Sequence, residues 1–470
     1  MALTAATAGD TIPPASIRSV ILASSLGTLF EWYDFYLYGT LAVFFGDLFF
    51  PPGNERAKLL ASLATFGAGF GVRPLGAIVF GRVGDLVGRK YTFVITMVTM
   101  GLSTAFIGFL PTYAHVGLLA PAILVSLRLI QGLALGGEYG GAATYVAEHV
   151  PDDRRGFYTS FIQTTATLGF FLSLGVIATC RVAYGSARFK EFGWRVPFLL
   201  SFLLLAVSLY IRLRMSESPL FARLKTEGRV SKNPLKESFG NPTNLKFVLL
   251  ALFGATAGQG VVWYTGQFYA LTFLQKPLNL DWRLSYGLVA VALALGTPLF
   301  LFFGWLSDRI GRKRIMLGGC LLAALTYVPI YHGMKALANP TMAASVTTLP
   351  ASSMAGLVAL LFVQMAYVAM VYGPIAAYLV ELFPTSIRYT SMSLPYHLGN
   401  GWFGGFLPLI ATAVTTSAWA RDRFGEGAIY TGLAYPIAMC LMTVVVGGLY
   451  VRETKDHRID TPIRIEPASS

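Results

Sequence analysis

Charged residues are scarce in this chain. Asp, Glu, Lys and Arg make up 13% of its 470 residues, against the roughly 25% that is typical of soluble domains. Apart from one charged connection and the two termini, no stretch is polar enough to form a soluble domain. The sequence also lacks a Gly-x-x-x-x-Gly-Lys-Ser/Thr phosphate loop. Hydrolysis of ATP by the chain itself therefore cannot drive its function.

Cysteine is rare as well. The three cysteines, Cys180, Cys320 and Cys440, fall in or at the ends of apolar segments. An odd, scattered set indicates neither a disulfide framework nor a metal site. No nucleophile or metal-ligand constellation accompanies them, which argues against a membrane enzyme. No cofactor is expected, other than a proton acting as a coupling ion.

Long apolar runs are abundant instead. Hydrophobic residues make up 55% of the chain, and a membrane-spanning helix needs about 20 predominantly apolar residues. A dozen such stretches are present, so the sequence predicts an all-α membrane protein. The expected spans cover residues 19–45, 58–80, 91–110, 117–147, 157–180, 195–213, 245–274, 284–306, 314–333, 353–380, 388–417 and 427–450.

A polar turn occurs twice, half a chain apart. The run GRVGDLVGRK from Gly81 to Lys90 returns in degenerate form as GWLSDRIGRK from Gly304 to Lys313, 223 residues later (304 − 81 = 223). Each copy lies between two apolar segments. We therefore predict twelve transmembrane helices in two six-helix bundles, an architecture typical of secondary transporters.

The repeated turn has the composition of a conformational latch. Glycines let two helix ends approach closely, and a carboxylate is favoured near a helix N-terminus. Such a charge cluster can hold one conformation and release in another, whereas a plain membrane anchor needs only the arginines. We predict a gating role without substrate contact for Gly81, Asp85, Arg89, Lys90, Asp308, Arg312 and Lys313.

The net charge of +13 is unevenly distributed. With a cytoplasmic N-terminus, Lys and Arg are roughly twice as frequent on the cytoplasmic side, as the positive-inside rule expects. The excess positive charge therefore indicates how the protein is oriented in the membrane and that it contacts lipid headgroups, and it does not indicate nucleic-acid binding. Both termini are expected inside the cell. The predicted parts are an N-terminus (1–18), a six-helix bundle (19–213), a cytoplasmic linker (214–243), a second six-helix bundle (244–451) and a disordered tail (452–470).

The first predicted span carries two carboxylates. Ionisable groups within a span are costly and by default functional. Glu31, Asp34 and Tyr38 are spaced i, i+3, i+7 and share one helix face. A desolvated carboxylate there can load and release a proton, so Asp34 and Glu31 are candidates for proton coupling. The alternative is a permanently paired structural carboxylate.

Two arginines also fall within spans. Arg128 shares a stripe with Gln131 and Glu138, and we expect it to pair with Asp34 or Glu31 until protonation breaks the pair. The sequence predicts that Arg128 and Glu138 take part in proton coupling. A guanidinium can form two parallel hydrogen bonds to a carboxylate, which makes Arg73 a candidate for binding an anionic substrate. The alternative is that the Arg73 side chain extends to the membrane surface or pairs with another protein group.

The second half offers amides and aromatic residues rather than charges. Such groups orient polar substrates, although each could equally join helix to helix, which is the expected role of Gln259 and His397. The predicted substrate-binding residues are Arg73, Arg128, Tyr38, Gln131, Gln163, Trp263, Tyr264, Gln267, Tyr396 and Asn400.

These motifs resemble a known family. The repeated Gly-x-x-x-Asp-Arg-x-Gly-Arg-Lys turn and the run RLIQG at 128–132 look like signatures of the major facilitator superfamily. Within it, EWYDF (31–35), RPLG (73–76), GGEYGGA (136–142), GWRVPF (193–198) and FPTSIRY (383–389) resemble the metabolite:proton symporters. That branch carries citrate, 2-oxoglutarate, shikimate, and proline or betaine.

The resemblance implies the twelve-helix fold, a bacterial inner-membrane location, and proton coupling with Asp34 and Arg128 involved. We therefore expect a monomeric, proton-coupled symporter of a small organic anion. The alternatives are a carrier of a zwitterionic osmolyte, a proton-driven drug exporter and a nutrient sensor. A coiled-coil osmosensor is not evident in the tail, and the two arginines within predicted spans disfavour cationic drugs.

Overall fold

The computed structural model describes residues 14–87, 89–213, 226–227, 231 and 233–459. These residues form helices throughout, apart from connecting turns and an isolated β-bridge between Leu280 and Val346. The helices of the first half are α1 (Pro14–Phe49), α2 (Glu55–Gly71), α3 (Arg73–Leu86), α4 (Arg89–Ile107), α5 (Tyr113–Val116), α6 (Leu119–Gly136), α7 (Tyr139–Ala147), α8 (Arg155–Arg188), α9 (Arg195–Leu199) and α10 (Ser201–Leu213).

The second half repeats this all-helical organisation. Its helices are α11 (Pro234–Phe239), α12 (Pro242–Ala251), α13 (Ala257–Tyr264), α14 (Ala270–Gln275), α15 (Trp282–Ile310), α16 (Arg312–Ala338), α17 (Ala351–Tyr372), α18 (Ile375–Leu382), α19 (Arg388–His397), α20 (Leu407–Thr415), α21 (Ala418–Phe424) and α22 (Ala434–Tyr450). Short π-helical segments at Leu252–Thr256, Thr265–Tyr269 and Leu398–Gly405 interrupt two of the predicted spans.

Much of this structure is long and apolar enough to cross a membrane. Two shorter apolar helices, Val94–Ile107 and Arg195–Ile211, lie in the first half. Among the described residues, eight stretches meet the length and hydropathy expected of a span, namely Glu55–Val83, Leu119–Ala147, Asp152–Gly193, Pro242–Gln275, Trp282–Ile310, Arg312–Ala338, Ala351–Leu382 and Ala418–Tyr450. The prediction of an all-α membrane protein is confirmed. Most of the predicted linker, 214–243, lies outside the described residues before Asn233.

Small residues bring two helices of the first half into backbone contact. A Cβ atom added to Gly132 would lie 1.7 Å from the carbonyl oxygen of Gly69, and one added to Gly136 would lie 2.2 Å from that of Arg73. A Cβ atom on Gly76 would lie 2.0 Å from the carbonyl oxygen of Leu133. Glycines spaced four residues apart are a recurring device for close packing in membranes. Here they hold α6, which carries Arg128, against α2 and against α3, which carries Arg73.

We expect Gly132→Ala to destabilise the protein. The added methyl group collides with a backbone oxygen, which no change of rotamer relieves, and overpacking of this kind costs about 1–3 kcal/mol. A thermal unfolding midpoint measured in detergent should fall by several degrees. Gly175→Ala is the matched control, because no atom lies within 4 Å of a Cβ at Gly175. Equal midpoints for the two variants would show that this crossing is looser than the structure indicates.

Candidate functional site

Arg73 lies where two helices of the first half meet. Pro74 occupies the start of α3, a position that proline tolerates because its missing N–H would not be bonded there. The Arg73 side chain is 0% exposed. Its guanidinium carbon lies over the rings of Phe70 at 4.0 Å, Phe35 at 4.4 Å and Trp32 at 5.3 Å. Arg73 is therefore enclosed among aromatic rings rather than extended to a membrane surface.

Among the described residues, none is a hydrogen-bond partner of the Arg73 guanidinium. All three of its nitrogens, Nε, Nη1 and Nη2, are buried and unpaired. Contact with ring faces offsets part of the burial cost, but guanidinium N–H donors left without acceptors remain expensive. The three nitrogens are therefore available to a hydrogen-bond acceptor that reaches the site.

Arg128 approaches the same Phe35 ring. Its guanidinium carbon lies 4.2 Å from the centre of that ring and 4.8 Å from the ring of Tyr38. Nη1 donates to Oε1 of Gln131 at 2.7 Å and, more weakly, to the Phe35 carbonyl at 3.4 Å. Nε and Nη2 are buried without a partner. Gln131 in turn donates to Oγ1 of Thr104 at 2.6 Å, so it holds Arg128 in position.

The predicted ion pair between Arg128 and Asp34 is wrong for this conformation. Asp34 Oδ1 instead accepts a hydrogen bond of 2.5 Å from Oγ of Ser201, at the start of α10. Adjacent residues on a helix point about 100° apart. Phe35 faces α6 and Arg128, and Asp34 consequently faces α10. Asp34 is buried as predicted, but its partner is a hydroxyl group.

The other polar groups predicted in the first half are also buried. Glu31 is 3% exposed and Glu138 is 1% exposed. The Tyr38 hydroxyl donates to the Ser62 carbonyl at 3.1 Å. Gln163 Nε2 donates to the Tyr139 hydroxyl at 2.6 Å, whereas its Oε1 is buried and unpaired. The structure therefore leaves an acceptor on Gln163 next to the phenol of Tyr139.

Aromatic and amide side chains of the second half pack against these residues from the opposite side. Trp263 stacks on Tyr36 with ring centres 5.2 Å apart, and Tyr264 meets Phe70 edge to face at 5.0 Å. Gln267 Nε2 reaches Oγ1 of Thr167 at 3.5 Å. The indole Nε1 of Trp263 and Oε1 of Gln267 are buried and unpaired. Unpaired polar atoms from both halves therefore converge on one aromatic-lined region, which we call the central site.

Two stacked tyrosines join the halves beside the central site. The rings of Tyr139 and Tyr396 lie 3.4 Å apart and nearly parallel, at 3°. The Tyr396 hydroxyl also shares a 2.6 Å hydrogen bond with the hydroxyl of Tyr372. Both ring nitrogens of the neighbouring His397 are buried and unpaired. Tyr396 thus adjoins the central site but already has protein partners.

Asn400 has a structural partner. Its Oδ1 accepts from Gln259 Nε2 at 3.0 Å, and its Nδ2 donates to Gln259 Oε1 at 2.8 Å. This reciprocal amide pair joins the helix of residues 398–405 to α13. The structure therefore favours helix-to-helix contact over substrate binding for Asn400, the alternative that the sequence left open.

Aromatic rings cover the central site on the side away from the repeated turns. Phe268 packs on Phe170 with ring centres 4.4 Å apart and on Phe66 at 5.2 Å. Farther along, a cavity of about 580 Å³ lies between the halves, and Tyr269 and Arg56 are among its lining residues.

At the opposite end, the second copy of the repeated turn joins the two halves. We call this the latch end. The Asp308 carboxylate accepts hydrogen bonds of 2.8 Å from the backbone N–H groups of Gly156 and Phe157 at the start of α8. It also pairs with Arg312 at 2.6 Å. A carboxylate at a helix N-terminus is a favourable contact, and this one crosses between halves.

Further ion pairs close the latch end. Glu381 Oε1 lies 3.0 Å from nitrogens of both Arg312 and Arg155, and the latter belongs to the first half. Glu148 of the first half pairs with Arg388 of the second at 3.2 Å. The predicted gating residues Asp308 and Arg312 therefore belong to a network that crosses between halves, and the structure adds residues that the sequence did not single out.

Other predicted latch residues have different surroundings. Lys313 Nζ donates to the carbonyls of Gly448 and Val451 at 2.9 and 2.8 Å, within its own half. Gly81 packs against α19, because a Cβ there would lie 3.4 Å from the ring of Tyr389. The side chains of Asp85, Arg89 and Lys90 lie outside the described residues.

The segment after α22 packs onto the latch end. Glu453 accepts from the backbone N–H groups of Arg312 and Lys313 at 2.8 and 3.1 Å. Thr454 donates to Glu381 at 2.6 Å, and the carbonyl of Ile459 accepts from Arg388 at 2.7 Å. The prediction of a disordered tail is therefore wrong for residues 452–459. Helix-capping carboxylates and backbone carbonyls order a segment whose polar composition suggested otherwise.

Replacing Asp308 should loosen the latch end. Asp308→Asn removes the charge that faces the start of α8, and loss of such a contact costs about 1 kcal/mol. We expect a Ser160→Cys reporter, placed in a cysteine-free background, to react about three- to tenfold faster with a thiol reagent. Ser160 is buried against Gly304. Asp422→Asn, at an exposed position, is the control. An unchanged or slower reaction would contradict a latch at Asp308.

Several residues of the site escaped sequence analysis. Trp32 and Tyr36 lie i, i+4 on the stripe beside Glu31, so their spacing was a usable signal. Ser201 and Tyr372 gave no such signal in the sequence, because a single hydroxyl in an apolar segment usually hydrogen-bonds to a backbone carbonyl of its own helix. Their significance follows from contacts with residues far away in the chain.

The comparisons with known proteins agree with this architecture. Residues 24–408 match the family model described as Major Facilitator Superfamily. The "Inner membrane metabolite transport protein YhjE" of Escherichia coli is 33% identical over 448 residues, 92% of this chain and 94% of that protein. The "Alpha-ketoglutarate permease" of the same species is 31% identical, over 90% and 93% of the two chains.

A third relative and a solved structure extend the comparison. The "Proline/betaine transporter" of Escherichia coli is 32% identical over 98% of this chain and 87% of that protein. The structure of the proton:xylose symporter XylE with 6-bromo-6-deoxy-D-glucose superposes with a TM-score of 0.73, covering 96% of this chain and 98% of that one. At 19% sequence identity, this likeness concerns the fold.

Proposed function

Since the chain belongs to the major facilitator superfamily, and is therefore a membrane transporter rather than an enzyme, we propose that it is a proton-coupled symporter. Its substrate is a small carboxylate-bearing metabolite, imported by alternating access. The chain crosses the bacterial inner membrane twelve times, with both termini in the cytoplasm, and works as a monomer. Relatives with printed names such as inner membrane metabolite transport protein and alpha-ketoglutarate permease support this proposal.

The observation that carries the proposal is the unpaired guanidinium of Arg73. A fully buried cation whose three nitrogens all lack acceptors requires an anion to complete it. A carboxylate matches the planar fork of a guanidinium. The surrounding rings exclude water, which strengthens the pair.

Proton coupling is assigned to the buried carboxylates of the first half. Asp34 is bonded to a hydroxyl rather than to a cation, so protonation breaks no ion pair between Asp34 and Arg128 in this conformation. We propose that Asp34 carries the proton, with Glu31 and Glu138 as further carriers. Substrate binding at Arg73 then accompanies release of the contacts at the latch end.

The test is a panel of labelled compounds offered to purified protein in proteoliposomes with an imposed inward pH gradient. The panel contains mono-, di- and tricarboxylates, shikimate, proline and betaine. We expect uptake of at least one carboxylate and none of betaine. Uptake restricted to betaine or proline would contradict the proposal, and would instead favour the activity that the name of the proline/betaine relative describes.

A further inference from the structure

The cavity between the halves, at the end opposite the latch end, is separate from the central site. Its volume of about 580 Å³ lies within the range of about 300–1,000 Å³ that is usual for small-molecule sites. The first half contributes the start of α2, and the second half contributes α14, the end of α20 and the turn after α21. None of the described residues that line it belongs to the central site. A molecule bound there contacts both halves without reaching Arg73.

The inner walls of this cavity are apolar. Phe273 is fully buried, and Leu59, Met342 and Ile429 are half-buried around it. Threonines also line the cavity, but the hydroxyl of Thr415 already donates to a carbonyl of its own helix at 2.7 Å. Such walls favour a ligand with a hydrocarbon part, because apolar area leaves water when it binds.

Three cationic side chains line the cavity where it meets solvent. Arg56, Lys276 and Arg421 are all exposed. Arg56 Nε donates to a neutral group, the hydroxyl of Thr416, at 3.0 Å. Among the described residues, no carboxylate forms an ion pair with any of the three cations. Cations around an apolar interior are complementary to a molecule that carries an anionic group at one end of an apolar ring system.

Two carboxylates also line the cavity, and each already has a lysine as its partner. Glu55 pairs with Lys58 at 2.5 Å, and Glu426 pairs with Lys335 at 3.1 Å. Neither lysine is among the lining residues. The lining therefore carries three cations and two carboxylates, an excess of one positive charge (3 − 2 = 1). This excess favours a ligand with a single negative charge over a neutral or cationic ligand of the same shape.

We propose that this cavity is a second ligand-binding site, for an amphipathic monoanion with one or two rings and a single sulfonate or carboxylate. The rings lie between Leu59 of the first half and Phe273 of the second, and the anionic group lies near Lys276 and Arg421.

The ligand of this second site is an inhibitor. It fills space that must shrink when the halves close at this end, so it stabilises the conformation in which the latch end is closed. The Asp308 contacts with the start of α8 therefore persist while the cavity is occupied. This consequence depends on the alternating access proposed above, and not on which substrate is carried.

The binding test compares two probes on purified full-length protein by titration calorimetry. Dansylate carries one sulfonate, and dansylamide is its neutral counterpart of nearly equal size. We expect the wild type to bind dansylate about tenfold more tightly than dansylamide. Arg421→Gln should reduce this ratio roughly two- to fivefold, as expected for an exposed charge. Arg423→Gln is the matched control, because Arg423 is exposed on the same helix but does not line the cavity.

Two further variants locate the bound probe. Ile429→Trp places a larger side chain in the cavity and should weaken dansylate binding at least about tenfold. Arg73→Gln removes a cation of the central site and should leave the affinity for dansylate within about twofold of the wild type. Dansylate binding that is lost in Arg73→Gln but retained in Ile429→Trp would place the anion in the central site and overturn the proposal.

The closed latch end is measured with the Ser160→Cys reporter in the cysteine-free background. At saturating dansylate, the reporter should react at least about threefold more slowly with a thiol reagent, and Ile429→Trp should abolish this slowing. Equal affinity of the wild type for dansylate and dansylamide would overturn the anion site. An unchanged or faster reaction at saturation would overturn the inhibition. Neither measurement uses a transported substrate, so both outcomes are independent of the proposed carboxylate uptake.

Discussion

Arg73→Gln is expected to reduce carboxylate uptake strongly without unfolding the protein. Truncating one member of a buried, hydrogen-bonded charge pair costs about 2–5 kcal/mol, so uptake at low substrate concentration should fall by roughly 30-fold to several thousand-fold. Glutamine still offers an amide N–H to the anion, but it has neither the positive charge nor the pair of parallel N–H donors of a guanidinium. Initial rates of labelled carboxylate uptake into proteoliposomes measure the effect.

The stability of this variant gives a second, independent readout. Arg73 is a buried cation with no hydrogen-bond partner among the described residues, and replacing such a group by a neutral one is neutral or stabilising. The thermal midpoint of Arg73→Gln should therefore equal or exceed that of the wild type. Arg188→Gln, at an exposed position, is the control and should transport normally. A variant that transports normally, or that loses transport because it unfolds, would remove Arg73 from the substrate site.

Asp34→Asn is expected to uncouple transport from protons while leaving exchange intact. Asparagine cannot load or release a proton, but its Oδ1 can still accept the hydrogen bond from Ser201. Accumulation driven by an imposed pH gradient should therefore disappear. For each proton carried, one unit of pH gradient supports about a tenfold substrate gradient. The effect is read as the steady-state ratio of labelled carboxylate inside and outside the vesicles.

Counterflow distinguishes loss of coupling from loss of function. With excess unlabelled substrate inside and no pH gradient, Asp34→Asn should exchange labelled substrate at a rate near that of the wild type. Asp47→Asn is the matched control, because Asp47 lies at the surface in a 2.8 Å ion pair with Lys58. Full proton-driven accumulation in Asp34→Asn would exclude Asp34 as the proton carrier.

Much of the architecture follows from the sequence. Apolar segments and the repeated turn predicted an all-helical membrane protein of the major facilitator superfamily, and both are confirmed. Arginines within apolar segments predicted a buried site, because such residues are tolerated only where a cavity or a ligand receives them. Arg73 and Arg128 are indeed fully buried. These inferences needed only local composition and spacing.

What the sequence did not provide is the pairing between distant residues. Opposite charges suggested an Asp34–Arg128 pair, whereas the helix direction places Ser201 beside Asp34 and Phe35 beside Arg128. At the latch end, Glu148 meets Arg388 from 240 residues away. Many arginines could reach many carboxylates, and only the packing of whole helices decides among them.

Proton movement caused by substrate tests the account most directly. Wild-type protein is reconstituted in vesicles that enclose a pH-sensitive dye, with no initial pH gradient, and a carboxylate that is taken up in the labelled panel is added outside. We expect the lumen to acidify in the wild type and in Asp47→Asn, but not in Arg73→Gln or Asp34→Asn. Entry of labelled carboxylate without any acidification, or acidification that persists in Arg73→Gln, would contradict a proton-coupled carrier whose substrate binds at Arg73.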